Sequence, residues 1–264
     1  MNDIAIIGFG IIGRAVADLL TNKKVGCIFP VDPLQKDMFS YSLEDVNSCK
    51  YAFVCVPTPH MKFDGLDMSI VEEVIEKYSP EIFIVCSALQ PGTADRLSKK
   101  YNKKIVVQPE YFGETVGHPM VELNQQKFLI LGGENKDVNE VIKLYQKIYN
   151  ANIKIRKVTA YEAEIIKLSE NRAIAYKVAQ CQELYDVCIA ANVDYETIRQ
   201  AVYGDDPRFN LWWTWVYEDN RGMSSKCLPK DIYGWQAWAK EAGIDPELTI
   251  SLLNYNNKLL SLNK

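Results

Sequence analysis

Histidine is nearly absent: the 264-residue chain has only His60 and His118. A histidine-based metal centre or a Ser-His-Asp triad therefore has little to build on, and no metal is expected. The seven cysteines, at 27, 49, 55, 86, 181, 188 and 227, are odd in number and include no CxxC pair. That usage argues against a disulfide framework or a zinc site and for a reducing, cytoplasmic setting. Long apolar runs are missing too, so no membrane-spanning helix is expected. The apolar stretch 4–12 contains Gly8 and Gly10 and has no basic leader, so it reads as a strand and turn, not a signal peptide. There is no excess of positive charge: 30 Lys and Arg stand against 34 Asp and Glu, a net charge of −4. Nucleic acid is not an expected partner.

Apolar residues, by contrast, make up 48% of the chain, enough for the core of one or two domains. Ile4-Ala5-Ile6-Ile7 has the character of a buried parallel strand. Gly8-Phe9-Gly10-Ile11-Ile12-Gly13 follows at once, and Arg14 to Leu20 reads as a helix. In a dinucleotide-binding turn one glycine makes the bend, the next lets the backbone approach the pyrophosphate, and the third lets helix and strand pack closely. The helix N-terminus then faces the phosphates. A second strand, Val25 to Val31, ends in Asp32, 19 residues beyond Gly13. A carboxylate there accepts ribose hydroxyls and disfavours a 2′-phosphate, which selects NAD over NADP.

Further strands are expected at 51–56, 82–86, 104–107 and 128–131, with helices at 69–78, 94–101 and 137–149 between them. The alternation predicts a Rossmann-type, doubly wound α/β domain over residues 1–157. Three loops fall at the carboxyl ends of its strands, where such sheets bind ligands: Val56-Pro57-Thr58-Pro59, Ser87 to Thr93, and Gln108 to Glu114.

From Ala160 to Ala191 there is neither proline nor glycine, and apolar residues recur at helical spacing. This predicts one long connecting helix of about 45 Å, opening an all-helical domain over 158–264. A helix so long suits a dimer seam, and Cys181 and Cys188 read as its packing residues. Lys167 and Asn171, four apart, share a face of it; an exposed polar pair is the plain reading, a pair of donors to a reacting oxygen the functional one. All five tryptophans lie between 212 and 238, as packing aromatics or as a platform for a base or sugar.

Cys227 stands in Gly222-Met223-Ser224-Ser225-Lys226-Cys227-Leu228-Pro229-Lys230-Asp231. Proline favours the start of a helix, which places the thiol just before a helix N-terminus. There the positive end of the helix and a nearby lysine favour thiolate, the nucleophilic form.

Taken together, GFGIIG, VCVPTP, SALQPGT, QPEYFGE, EAEIIKLSEN, DPRF and CLPKD resemble, in chain order, the UDP-glucose/GDP-mannose dehydrogenase family. The resemblance implies oxidation of the C6 alcohol of a nucleotide sugar, foremost UDP-glucose to UDP-glucuronate, with two NAD⁺. Cys227 would be the nucleophile that forms the thiohemiacetal and thioester. Lys167 would stabilise the oxyanion, Asn171 orient water or that oxygen, and Asp231 assist proton transfer. Glu114 would be the general base and Glu110 a supporting carboxylate. The turn residues Gly8, Phe9, Gly10, Ile11, Ile12 and Gly13, with Asp32, Val56, Thr58 and Lys230, would hold the cofactor. Arg208, from a neighbouring subunit, and Tyr111, Phe112 and Gly222 would serve the substrate. A homodimer through the 160–191 helix is expected, with pairing to a full-length relative as the alternative.

Three departures from the family pattern stand out. Ser87-Ala88 replaces Ser-Thr, Ser224-Ser225 replaces Gly-Gly before the cysteine, and the family's further nucleotide-binding α/β domain is expected to be absent. Two other readings are consistent with the residues. One is a two-electron dehydrogenase resembling the β-hydroxyacid dehydrogenases, which need no such thiol. The other is an NAD-binding subunit without activity.

Overall fold

The strand β1 (Asp3–Ile7) is buried along nearly its whole length, as are β3 (Tyr51–Val54), β6 (Ile82–Val85) and β7 (Ile105–Val107). Uninterrupted apolar strands of this kind belong inside a parallel sheet covered on both faces. A computed structural model of the chain describes residues 3–32, 41–61, 65–111, 123, 126–149 and 153–263. Its main sheet has seven strands in the order β2-β1-β3-β6-β7-β8-β9, where β2 is Cys27–Val31, β8 Phe128–Gly132 and β9 Lys154–Val158. All neighbours run parallel except β7 and β8, which meet antiparallel at Val107 and Gly132.

Because side chains alternate along a strand, the sheet divides its apolar residues between two cores. Ile4, Ile6, Phe53, Ile84 and Val106 face one side, packed with Val16 and Leu20 of α1 (Ile11–Asn22) and Val141 and Leu144 of α5 (Asn135–Ile148). Ala5, Ile7, Val54, Phe83, Val85 and Val107 face the other. There they meet Val71 and Ile75 of α3 (Ser69–Lys77), Leu97 of α4 (Thr93–Tyr101) and Ala163 of α6 (Ala160–Ala191). Helices on both faces make the sheet doubly wound. Short elements over Leu43–Asn47 (α2), His60–Met61 (β4) and Gly65–Leu66 (β5) complete this part of the chain.

The predicted strands and helices all form, with ends shifted by a few residues. The long helix runs over the expected span, 32 residues from Ala160 to Ala191. A capping box starts it: Thr159 Oγ1 accepts the Glu162 N–H at 3.2 Å, and Glu162 Oε2 accepts the Thr159 N–H at 2.7 Å. It ends where Asn192 turns left-handed, with φ of 55°.

The chain divides into two compact units within α6. Residues up to Lys167 belong to the first, and Leu168 onward to the second, together with His60, Met61 and Gly65. In the second unit Asp194 caps α7 (Tyr195–Arg199), which runs into a π-helical segment, Gln200–Asp205. Two helices of 14 residues follow, α8 (Leu228–Glu241) and α9 (Glu247–Leu260). A small core of Ala175, Met223, Ile232, Leu252 and Leu253 joins them to α6. No helix among the described residues is long and apolar enough to cross a membrane.

Candidate active site

In the first unit the strand order reverses at β1: the chain leaves it for β2 on one side and returns to β3 on the other. Ligands of open α/β sheets bind beyond the carboxyl ends of the strands at such a point. Gly8 to Gly13 occupy it. Gly8 has φ of +90°, and a Cβ there would lie 2.6 Å from the Cys55 carbonyl oxygen. At Gly13 a Cβ would lie 2.0 Å from the Gly8 carbonyl oxygen, so both positions admit only glycine. At Gly10, the N-cap of α1, an added Cβ would meet nothing within 4 Å, which leaves the backbone open to a close-lying group. Asp32 follows β2, and its Oδ2 accepts the Phe9 N–H at 2.9 Å. A backbone cradle at a helix N-terminus beside a carboxylate fits a dinucleotide with unmodified ribose hydroxyls.

Val56 and Thr58 lie in the loop that follows β3, both buried. The hydroxyl of Ser87, after β6, donates to the Val56 carbonyl at 2.7 Å and tethers the two strand ends. Glu164 of α6 is 1% exposed and accepts the N–H groups of Gly92 at 2.5 Å and Ala94 at 2.8 Å. It thereby caps α4 and fixes the end of the loop after Ser87. Burial pushes its carboxyl up to about 7, against the two amides that favour the anion. Sequence reasoning missed this residue, whose one available signal was its place three before Lys167 on the same helix face.

The third loop carries Glu110, which is buried, and Tyr111, whose N–H donates to Glu110 Oε1 at 2.7 Å. Lys167 Nζ donates to the Glu110 carbonyl at 2.5 Å and lies 5.2 Å from the Tyr111 ring centre. Lys167, Glu110 and Tyr111 thus form one cluster. Phe112 and Glu114 lie outside the described residues.

The second unit holds the other cluster. Asp231 is 1% exposed; Asn171 Nδ2 donates to its Oδ2 at 2.5 Å, and Lys230 Nζ to its Oδ1 at 2.6 Å. Two donors thus compensate a carboxylate withdrawn from water. Cys227 is exposed and is the N-cap of α8, with Pro229 in the first turn as its second residue. Its carbonyl accepts the Asp231 N–H at 3.1 Å, the first helical bond of α8. The sequence placed the thiol at a helix N-terminus, and it is there. Ser225 makes use of its side chain: Oγ accepts the Leu228 N–H at 3.3 Å.

Gly222, with φ of +80°, packs its α-carbon against Asn256, whose Oδ1 would lie 2.9 Å from a Cβ. Arg208 is exposed and paired with Asp206 at 2.6 Å. The tryptophans divide. Trp235 stacks on the Arg172 guanidinium and packs edge-on against Trp238, while Trp212 and Trp215 are 39% and 40% exposed. A cavity of about 210 Å³ lined by Tyr233, Gln236, Lys240, Asn254 and Asn257 contains none of the candidate site residues.

The strand order and glycine cradle define the first unit as a dinucleotide-binding domain of the dehydrogenase kind. Comparison with known proteins makes the class specific. Residues 32–152 match the NAD-binding domain of the UDP-glucose/GDP-mannose dehydrogenase family, and residues 161–258 match its central domain. The chain belongs to that family. It is 23% identical over 234 residues to the UDP-glucose 6-dehydrogenase of Rickettsia bellii, covering 84% of this chain and 52% of that one. The chain thus spans about half the length of the curated relatives it matches. In fold it resembles a UDP-glucose dehydrogenase from Pyrobaculum islandicum, with TM-score 0.80 and 18% identity over 98% of this chain and 68% of the other. It also resembles 3-hydroxyisobutyrate dehydrogenase of Mycobacterium tuberculosis, with TM-score 0.74 and 14% identity over 100% and 96% of the two chains.

Proposed function

We propose that the chain oxidises the C6 alcohol of a nucleotide sugar, with UDP-glucose the first substrate to test, through a covalent thioester on Cys227. The observation that carries this reading is the exposed thiol at the N-terminus of α8, one turn before an Asp231 that Asn171 and Lys230 hold ionically and by hydrogen bond. Gly8 to Gly13 and Asp32 hold the pyrophosphate and ribose of NAD, with Val56, Thr58 and Lys230 beside it. When bound, the cofactor supplies a hydride acceptor for each of two oxidations.

The chain's own side chains handle the rest. The Cys227 thiolate adds to the aldehyde carbon, and negative charge moves to the carbonyl oxygen. Lys167 and Asn171 donate to that oxygen. After the second oxidation water attacks the thioester, the C–S bond breaks, and the thiolate leaves as the carboxylate forms. Asp231 moves the proton at the sulfur, Glu114 serves as base toward the alcohol or water, and Glu110 supports it. Arg208, Tyr111, Phe112 and Gly222 contact the substrate, Arg208 from a second copy. That copy docks through α6, whose Val187 and Ile189 are 57% and 60% exposed. The protein works in the cytoplasm.

The test is NADH formation with a panel of UDP- and GDP-sugars for wild type and Cys227→Ala. The expected result is two NADH per acid in wild type and no acid from the variant. A Cys227→Ala variant with undiminished turnover would replace this reading with a two-electron dehydrogenase.

A further inference from the structure

Two more cysteines stand at the reversal point of the sheet. Cys55 follows β3 and Cys86 follows β6, and the register Val54↔Val85 puts them side by side one step beyond. The ladder continues through both: the Cys55 N–H donates to the Ile7 carbonyl at 2.8 Å, and the Cys86 N–H to the Val54 carbonyl at 2.9 Å. Both side chains face the same core, that of Ile6, Phe53 and Ile84, with Cys86 buried and Cys55 half-buried at its margin. Neighbouring strands lie about 4.8 Å apart, within the α-carbon separation a disulfide spans. The two thiols also interact, since Cys55 is the foremost group raising the Cys86 pKa.

We propose that Cys55 and Cys86 are a reversible oxidation site, closed to a disulfide by a hydroperoxide, that controls the dinucleotide cradle above it. Cys55, the more accessible, attacks one peroxide oxygen. The O–O bond breaks, hydroxide leaves and takes a proton to become water, and Cys55 becomes a sulfenic acid. The Cys86 sulfur then attacks the Cys55 sulfur; the S–S bond forms, the S–O bond breaks, and the departing hydroxide takes the Cys86 proton as a second water. Two thiols lose two electrons and two protons, and one hydrogen peroxide becomes two waters. A bridge between adjacent parallel strands is strained, and strained disulfides are the readily reduced, regulatory ones.

The link to the cradle is a backbone contact. Gly8 rests so closely on Cys55 that its missing Cβ would lie 2.6 Å from the Cys55 carbonyl oxygen and 2.8 Å from its carbon. Drawing Cys55 toward Cys86 moves the floor of the turn. The effect on NAD rests on the dinucleotide-binding reading of that turn; the disulfide does not. Coupling is reciprocal, so bound NADH should also slow the oxidation.

The experiment treats the 264-residue chain with hydrogen peroxide, with and without NADH. It maps disulfides by peptide mass spectrometry and titrates NADH by its fluorescence before and after dithiothreitol. The Cys55–Cys86 bridge should form, weaken NADH binding by roughly tenfold, an ordinary coupling strength, and reverse with reductant. Cys55→Ala and Cys86→Ala should each abolish the bridge and the peroxide sensitivity of binding, so one well-folded variant suffices. Peroxide that oxidises Cys227 while both sulfurs remain thiols would overturn the proposal, as would a bridge that leaves NADH affinity unchanged. Reduced protein that fails to bind NADH, with the bridge still forming, would instead overturn the cofactor reading of the turn.

Discussion

Glu164 shows how a single carboxyl can bind a loop and still oppose folding. Its two amide partners, Gly92 and Ala94, are 72 and 70 residues away in sequence, so no local pattern reveals the contact. Cys227 was legible for the opposite reason, because proline and an apolar run beside it announce a helix start. Burial raises Glu164 from the usual 4.5 to about 7. The folded chain thus holds this proton more tightly than the unfolded one. The stability it contributes is complete below about pH 4 and is lost as pH rises through 7. Between pH 4.5 and 8 the wild type should lose about 3 kcal/mol relative to Glu164→Gln. Urea unfolding of both proteins across that range reads the difference, and a gap independent of pH would mean that the carboxyl is ionised throughout.

At the level of elements, α9 does for the segment before Cys227 what Glu164 does for the loop after β6. Asn256 Oδ1 accepts the Met223 N–H at 2.6 Å, and seven residues on, Asn263 Oδ1 accepts the Arg221 N–H at 2.7 Å. Asn256 lies on α9 and Asn263 just beyond its end, and between them they tie the stretch 221–223 to this helix. Asn256→Ala leaves the buried Met223 N–H without its acceptor and should lower stability by about 1–3 kcal/mol, measured by thermal denaturation. The long helix α6 was legible because nothing interrupts it. The strand β9 was not: Lys154, Arg156 and Lys157 give an edge strand little apolar signal, and charge is how edges resist further pairing. The helix α9 also went unread: its Asn254 and Asn257 are exposed, and the buried Asn256 is tied to a residue 33 positions away in sequence.

For the whole molecule, the doubly wound sheet followed from apolar strands alternating with helices. The Asp231 cluster did not, since Asn171 and Asp231 lie 60 residues apart and only the family resemblance had associated them. The apolar residues of α6 point around its circumference: Leu168, Ala175 and Cys188 are buried while Val187 and Ile189 are exposed, the pattern of a helix that a second surface should cover. Light scattering should give a dimer for the wild type and a monomer for the Val187→Glu, Ile189→Glu double variant, with NADH affinity unchanged. A monomeric wild type would remove the seam. The tryptophans carry one last consequence. All five lie in the second unit, so indole emission is an optical label for that unit alone, while circular dichroism sums the helices and strands of both. Two denaturation curves recorded on one unmodified sample therefore resolve whether the units melt together or in turn.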